Sequence, residues 1–89
     1  MLLADRVDHL QVIGTAHLAL GRSLLAQGRL EEAEKEFDTA DATFSRATSA
    51  SHQADSWIAR GDLARRSGDE QQAARLYRQA AETLLATSS

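Results

Sequence analysis

The sequence predicts an all-α protein in which antiparallel helical hairpins stack as a short solenoid. Alanine occurs 17 times and leucine 12 times among 89 residues, whereas valine and isoleucine together occur four times, a bias typical of helices. The second half of the chain also repeats the pattern of the first. In each half an alanine is followed four residues later by an aromatic residue, and that residue is followed three residues later by another alanine. Residues at these spacings lie on one face of a helix. The matched pairs, each offset by forty in the numbering, are Ala19 with Ala59, Gly21 with Gly61, Gly28 with Gly68, Ala33 with Ala73, Phe37 with Tyr77, and Ala40 with Ala80.

The first repeat helix is predicted to run from near His9 to Gln27. Asp8 and Gln11 have the spacing of a capping box, which favours a start at this point. Gly14 is then tolerated inside the helix at a cost of about 1 kcal/mol relative to alanine. The residues before Val7 are interpreted as the end of a preceding helix, and one unbroken helix from residue 2 is the alternative.

A second helix is predicted over residues 30–46. Gly28 suits the left-handed position that follows a helix C-terminus, so it separates the first two helices. Glu31 and Glu32 favour the start of the second helix because carboxylates stabilise the positive end of the helix dipole.

The third and fourth helices form the second hairpin. Ser49 or Ser51 is expected to cap the third helix, which ends near Ser67 before Gly68. Asp69 and Gln72 form a second capping box, and the last helix is expected to fade by residue 87. The chain is thus predicted to be a single module with these parts: 1–7, the end of a preceding helix; 8–46, the first repeat; 47–51, a link; and 52–87, the second repeat.

Several classes of site are not supported by the sequence. There is no cysteine, hence no disulfide or zinc-thiolate site, and a reducing cytoplasm is the default location. His9 and His17 are eight residues apart, which is not the spacing that chelates a metal on one helix. The glycines are too widely spaced for a phosphate-binding loop, and no serine has a histidine and an acid in a recognisable pattern. No apolar run approaches the roughly twenty residues of a membrane span. We therefore predict no catalysis, metal or cofactor.

Charge is unevenly distributed along the chain, although the net charge is only -3. Residues 29–41 hold six acids and two bases, whereas residues 60–78 hold five arginines and three acids. The arginines could contact nucleic-acid phosphates, but the whole chain is acidic, so direct nucleic-acid binding is the weaker interpretation. The link before the third helix is also expected to be too long for a helix-turn-helix. A solvated face with local salt pairs, or pairing of acidic and basic helices between two copies, are the alternatives.

The two halves resemble the tetratricopeptide repeat, whose pattern is tryptophan, leucine-glycine, a later glycine, then alanine, an aromatic and alanine. His17 takes the place of the tryptophan in the first half, and Arg60 takes the place of a leucine in the second. The usual period is about 34 residues, so six extra residues are expected to lengthen the link around residues 46–51. The resemblance implies that the packing between helices is made by Leu20, Gly21, Gly28, Ala33, Phe37, Ala40, Trp57, Gly61, Gly68, Ala73, Tyr77 and Ala80.

The resemblance also implies a function. In this family the first helix of each repeat lines a groove that takes peptides or partner helices. By position, the partner-binding residues would be Thr15, Leu18, Arg22, Leu25, Asp55, Ile58, Asp62 and Arg65. The leucines and Ile58 would be apolar anchors, and the two arginines would take carboxylates. Alternatively, these leucines pack against the helix before Val7 or against a neighbouring subunit.

A protein or peptide is the expected partner. About three repeats are usually needed for stability, and two are found here, so a second copy, a bound partner or further domains of a longer protein are expected to cover the remaining apolar faces. A homodimer is the first choice among these. Long repeats rich in alanine and arginine, as found here, are similar to the tail regions of bacterial helix-turn-helix transcription regulators. That similarity implies dimerisation or effector sensing for a DNA-binding domain.

Overall fold

The computed structural model describes residues 2–88 and the side chains of residues 7–87, so Met1 and Ser89 lie outside the described residues. Four helices follow one another: α1 (Leu2–Ala26), α2 (Leu30–Arg46), α3 (Ala50–Arg66) and α4 (Glu70–Ser88). The part of the chain that the structure describes holds only helices and the turns between them. The predicted all-α class of stacked antiparallel hairpins is confirmed.

Helix α1 is a single helix of 25 residues, so the predicted start near His9 is wrong and the alternative of an unbroken helix is confirmed. Asp8 lies inside this helix rather than capping it, and residues 2–7 are its first turns rather than the end of a separate helix. No proline or glycine precedes Gly14 to interrupt the helical pattern. An Asp and a Gln three residues apart are therefore not sufficient to begin a helix.

The three turns are alike and are evenly spaced along the chain. Each places one residue in the left-handed region: Gly28 at φ 79°, Thr48 at φ 50° and Gly68 at φ 89°. In each, the backbone N–H of that residue and of the next donate to carbonyls of the last helical turn, as in the Schellman motif. The bonds at Gly28 and Arg29, for example, are both 2.9 Å long. The left-handed turn predicted at Gly28 is confirmed, and Gly68 lies just past the end of α3.

The link between the repeats is residues 47–49, the same length as the other two turns. The expectation of a longer link over residues 46–51 is therefore wrong, and its length does not argue against a helix-turn-helix. The six extra residues lie in the helices, since α2 and α3 have 17 residues each. Thr48 explains the difference, because a threonine in the left-handed region is uncommon and does not signal a turn in sequence.

The helix starts were predicted in part. Ser49 precedes α3 as expected, but its hydroxyl hydrogen-bonds to His52 Nδ1 at 2.6 Å and does not cap the backbone. Asp69 does cap α4, because its Oδ1 accepts a 3.0 Å hydrogen bond from the Gln72 N–H. The N–H of Asp69 itself is used in the preceding turn, where it donates to the carbonyl of Ala64 at 2.8 Å.

Each hairpin is built on close contact between a glycine and an aromatic ring. A Cβ added at Gly21 would lie 2.5 Å from Phe37, and one added at Gly61 would lie 2.5 Å from Tyr77. Gly14 has the same relation to Phe44, at 2.5 Å. The helices therefore approach more closely than a side chain at these positions would allow. The rings of Phe37 and Phe44 are fully buried as a result.

The core lies between α1, α2 and α3, and it consists of small residues around a few large ones. Four of its members are completely buried alanines and phenylalanines on α2. Leucines from α1 and α3 close it on the other sides. Its buried members are Leu18, Leu24, Leu25, Ala33, Phe37, Ala40, Phe44, Ala59 and Leu63.

We predict that Gly21→Ala destabilises the protein by about 1–3 kcal/mol, because the new methyl group would overlap the ring of Phe37. At an open helical position the same substitution stabilises by about 1 kcal/mol, so the sign is informative. Urea unfolding followed by circular dichroism measures the change. In a Phe37→Leu background the cost of Gly21→Ala should be smaller, since the shorter side chain leaves room. If Gly21→Ala changed the free energy of unfolding equally in the natural chain and in Phe37→Leu, or stabilised both, the contact between Gly21 and Phe37 would be contradicted.

Candidate functional site

Helices α1 and α3, the first helices of the two hairpins, lie side by side. The guanidinium of Arg22 on α1 donates a hydrogen bond of 3.4 Å to the backbone carbonyl of Asp55 on α3. Thr15, Arg22, Asp55 and Arg65 are all exposed on these two helices. We call these four residues the inner face. The structure therefore places four of the eight predicted partner-binding residues where another molecule can reach them.

Two of the predicted apolar anchors are not available to a partner. Leu18 and Leu25 are each only 7% exposed and belong to the core. Each lies four residues after a glycine that packs on α2, so both share the helical face of those glycines. Their predicted role as exposed anchors is wrong, because both pack against α2 within the chain rather than against an earlier helix or a neighbouring subunit. Ile58 and Asp62 are half-buried.

The residues predicted to pack between helices divide into four groups. Leu20 is 48% exposed, so its predicted packing role is wrong within the described chain. Gly28 and Gly68 are exposed in the turns and act by ending helices. Trp57 and Tyr77 are half-buried. The remaining members are buried: Gly21, Ala33, Phe37, Ala40, Gly61, Ala73 and Ala80.

Phe44 and Gly14 form a packing pair that the sequence analysis did not find. The signal was present, since Gly14 lies seven residues before Gly21 and Phe44 lies seven residues after Phe37. Seven residues are two helical turns, so in an antiparallel hairpin the two pairs must stack in the same register. The ring of Phe44 also lies against His52, with centroids 5.1 Å apart.

Arg60 links the two hairpins. Its guanidinium forms an ion pair with Asp38, and its Nε lies 3.7 Å from a carboxylate oxygen of Asp41. The side chains of Arg60 and Asp41 are only 24% and 25% exposed. At this position, where the repeat pattern has a leucine, the head of the arginine reaches two acids of α2. Because the side chains of Arg60 and Asp41 are largely shielded from water, their charges interact more strongly than those of a fully exposed pair.

A polar cluster lies at the end of the second hairpin. The hydroxyl of Tyr77 donates a hydrogen bond to Asp62, and Arg65 hydrogen-bonds to the same hydroxyl. Burial raises the pKa of Tyr77, the bond to Asp62 raises this pKa further, and Arg65 opposes the shift. The bond to Tyr77 likewise raises the pKa of Arg65. Asp62 and Arg65, with Arg66 and Glu70, line an open cleft of about 370 Å³.

The remaining titratable groups do not assemble into a metal site. His17 Nδ1 lies 2.7 Å from Glu36, which joins α1 to α2 at the position of the family tryptophan. Among the described residues, no three histidines, cysteines or acids are grouped in a way that could hold a metal ion. None of the described helices is long and apolar enough to cross a membrane.

The comparisons with known proteins agree with this architecture. The family model described as a tetratricopeptide repeat matches residues 12–86, which is most of the chain. Comparison with curated proteins and with solved structures gave no significant match.

We predict that the folded protein titrates its single tyrosine at a higher pH than the unfolded chain does. The folded pKa of Tyr77 is raised above the ordinary value of about 10, so ionisation favours unfolding. The stabilisation from this group is complete below pH 10 and is lost as the pH rises through the folded pKa. Tyrosinate absorbance, with and without denaturant, measures both midpoints.

Tyr77→Phe is the control for this titration. It keeps the ring beside Gly61 but removes the ionisable group, so the alkaline loss of stability due to Tyr77 should disappear. A folded midpoint equal to or below the unfolded one would contradict the burial of this hydroxyl.

Proposed function

The chain belongs to the tetratricopeptide repeat family, and from this we propose that it is a non-catalytic cytoplasmic module that binds a protein partner and associates with a second copy of itself. The observation that supports partner binding is the exposed inner face on the adjacent helices α1 and α3. It presents the guanidinium groups of Arg22 and Arg65 to solvent. Proteins of this family generally bind other proteins through such helices.

The two arginines suggest the chemistry of the bound segment. Guanidinium groups bind carboxylates with two parallel hydrogen bonds, so acidic side chains or a peptide C-terminus are suitable ligands. The 3.4 Å bond from Arg22 to the Asp55 carbonyl is long and exposed, and a carboxylate can replace it at little cost. With Leu18 and Leu25 in the core, half-buried Ile58 is the remaining predicted apolar contact.

We predict that peptides with acidic residues or a free C-terminal carboxylate are enriched when the protein is screened against a random peptide library. Arg22→Glu and Arg65→Glu should each weaken binding of a selected peptide by about tenfold or more, because each replaces an attraction with a repulsion. Fluorescence anisotropy of the labelled peptide measures the change.

Arg75→Glu is the matched control, since it makes the same charge change at an exposed residue of α4, away from the inner face. Circular dichroism checks that the helices are retained. Equal weakening by all three substitutions would indicate a general charge effect and would contradict binding at the inner face.

Self-association is proposed because two hairpins leave large apolar residues exposed at both ends of the chain. Val12 is 67% exposed and Leu20 is 48% exposed on α1, and Leu84 is 38% exposed on α4. Repeat proteins bury such end faces against further repeats or partners.

We predict a light-scattering mass that rises with concentration from the 9.7 kDa of one chain to about 19 kDa and beyond. Leu20→Asp should lower this mass, since it places an unpaired charge on an exposed apolar face. Thr39→Asp, a substitution on the exposed side of α2, serves as the control. A mass of 9.7 kDa at all concentrations tested would contradict self-association.

A second candidate is the dimerising and effector-sensing C-terminal part of a bacterial helix-turn-helix transcription regulator. The observation in its favour is the long period from Gly21 to Gly61, which arises from helices longer than those of the usual repeat. Under this proposal the gene would encode a DNA-binding domain upstream of residue 1. Translation of the upstream reading frame tests it. A salt-dependent gel shift with the 89-residue chain tests direct nucleic-acid binding, which is the weaker proposal.

A further inference from the structure

The packing of α3 on α2 shows which side of a first helix contacts the preceding hairpin. Ala59 is completely buried and Leu63 is 9% exposed, and both belong to one core cluster with residues of α2. Ser56, which is also completely buried, lies one turn before Arg60 on α3. His52 lies against Phe44, and Arg60 pairs with the acids of α2. The residues on this side of α3 are His52, Ser56, Ala59, Arg60 and Leu63.

Helix α1 presents the corresponding side to solvent. Subtracting 40 from each number gives Val12, Ala16, Ala19, Leu20 and Ser23, and all five are exposed in the described structure. We call these five residues the front face. The corresponding surface of α3 packs on α2 in the second repeat, whereas no described residue covers the front face.

Helix α4 presents the complementary surface. On α2, three acids and Phe44 lie toward α3; the first of them, Glu34, lines a pocket with Arg60 and Leu63. Adding 40 to the α2 positions 34, 38, 41 and 44 gives Ala74, Arg78, Ala81 and Leu84, and all four are exposed. We call these four residues the rear face.

The front face suits the rear face better than it suits α2, and the rear face suits the front face better than it suits α3. Inside the chain, Arg60 meets the carboxylates of Asp38 and Asp41. At the same positions of the outer faces stand Leu20 on α1 and Arg78 and Ala81 on α4. The front face therefore lacks the counterpart of the arginine, and the rear face lacks the counterparts of the two acids.

The second contact changes in the same way. Inside the chain the ring of His52 lies 5.1 Å from that of Phe44, whereas the outer counterparts are the aliphatic Val12 and Leu84. A front face placed on α2 would set Leu20 against two carboxylates, and burying those unpaired charges is costly. The complementary pattern identifies the rear face as the surface that suits the front face.

We propose that the rear face of one copy packs on the front face of the next and thereby repeats the α2–α3 interface between molecules. This inference rests on the self-association proposed above and specifies its surfaces. The aliphatic stem of Arg78 lies along Leu20 while its guanidinium stays in water. Such a contact joins two different surfaces, so each dimer keeps one free face at each end and association continues into longer chains.

Cysteine cross-linking tests the arrangement cleanly because the natural chain has no cysteine. Val12→Cys and Leu84→Cys occupy the positions that correspond to the His52 and Phe44 contact. A mixture of the two single variants, treated with a short thiol cross-linker, should give a dimer, and each variant alone should not. A chain carrying both cysteines should give a ladder of dimers, trimers and higher species. Thr39→Cys mixed with Gln79→Cys, both exposed but outside the two faces, is the control.

The outcomes separate this inference from the proposed self-association. Efficient dimerisation of Val12→Cys alone would show a symmetric contact between front faces, and would overturn the head-to-tail arrangement while self-association stands. A doubled mass without cross-linking of Val12→Cys to Leu84→Cys would also overturn the head-to-tail arrangement while self-association stands. A monomeric mass with no cross-linking would overturn both proposals. A ladder from the double variant only, with a mass that grows with concentration, supports both.

A charge exchange provides a second test that does not depend on cross-linking geometry. Leu20→Arg alone should lower self-association by about tenfold or more, because it faces Arg78 of the neighbouring copy. Adding Arg78→Asp and Ala81→Asp recreates at the outer faces the chemistry of Arg60 with Asp38 and Asp41, and should restore association. The variant that carries Arg78→Asp and Ala81→Asp but keeps Leu20 should not associate. Failure of the combined variant to recover, with its helices intact, would overturn the proposed register.

Discussion

The absence of a side chain at Gly14, Gly21 and Gly61 determines the distance between the helices of each hairpin. At all three positions an aromatic ring of the facing helix occupies the space where a Cβ would stand. Dispersion and burial of these rings then supply the stabilisation that a chain with 17 alanines cannot obtain from large aliphatic residues. The register of each hairpin follows from this close packing.

The sequence predicted the architecture well because helical spacing is informative at short range. Gly21 and Phe37 were both assigned to the packing between helices, and both are buried there in contact with each other. The length of the link was mispredicted because Thr48 adopts a left-handed conformation without being a glycine. The start of α1 was mispredicted because a capping pattern also occurs by chance within helices.

The candidate site was predicted less completely. Periodicity shows which residues share a helical face, but it does not show which of two apolar faces is covered by the neighbouring helix. Leu18 and Leu25 were assigned to the open face and lie in the core, whereas Leu20 was assigned to the core and is exposed. The charged residues were easier, because the guanidinium groups of Arg22 and Arg65 favour an exposed position in water. The acids of α2 were interpreted as one surface, although Asp41 is used between the repeats.

The short, uniform turns have a kinetic consequence. In the described residues, helices contact only the next helix along the chain, apart from the contact between α1 and α3. Almost every native contact thus lies within one helix or between neighbouring helices, which limits the entropy lost in closing the intervening loops. Proteins with this low contact order fold within microseconds to milliseconds. Either hairpin can serve as the nucleus, and the other then adds to it in the manner of a one-dimensional chain of units.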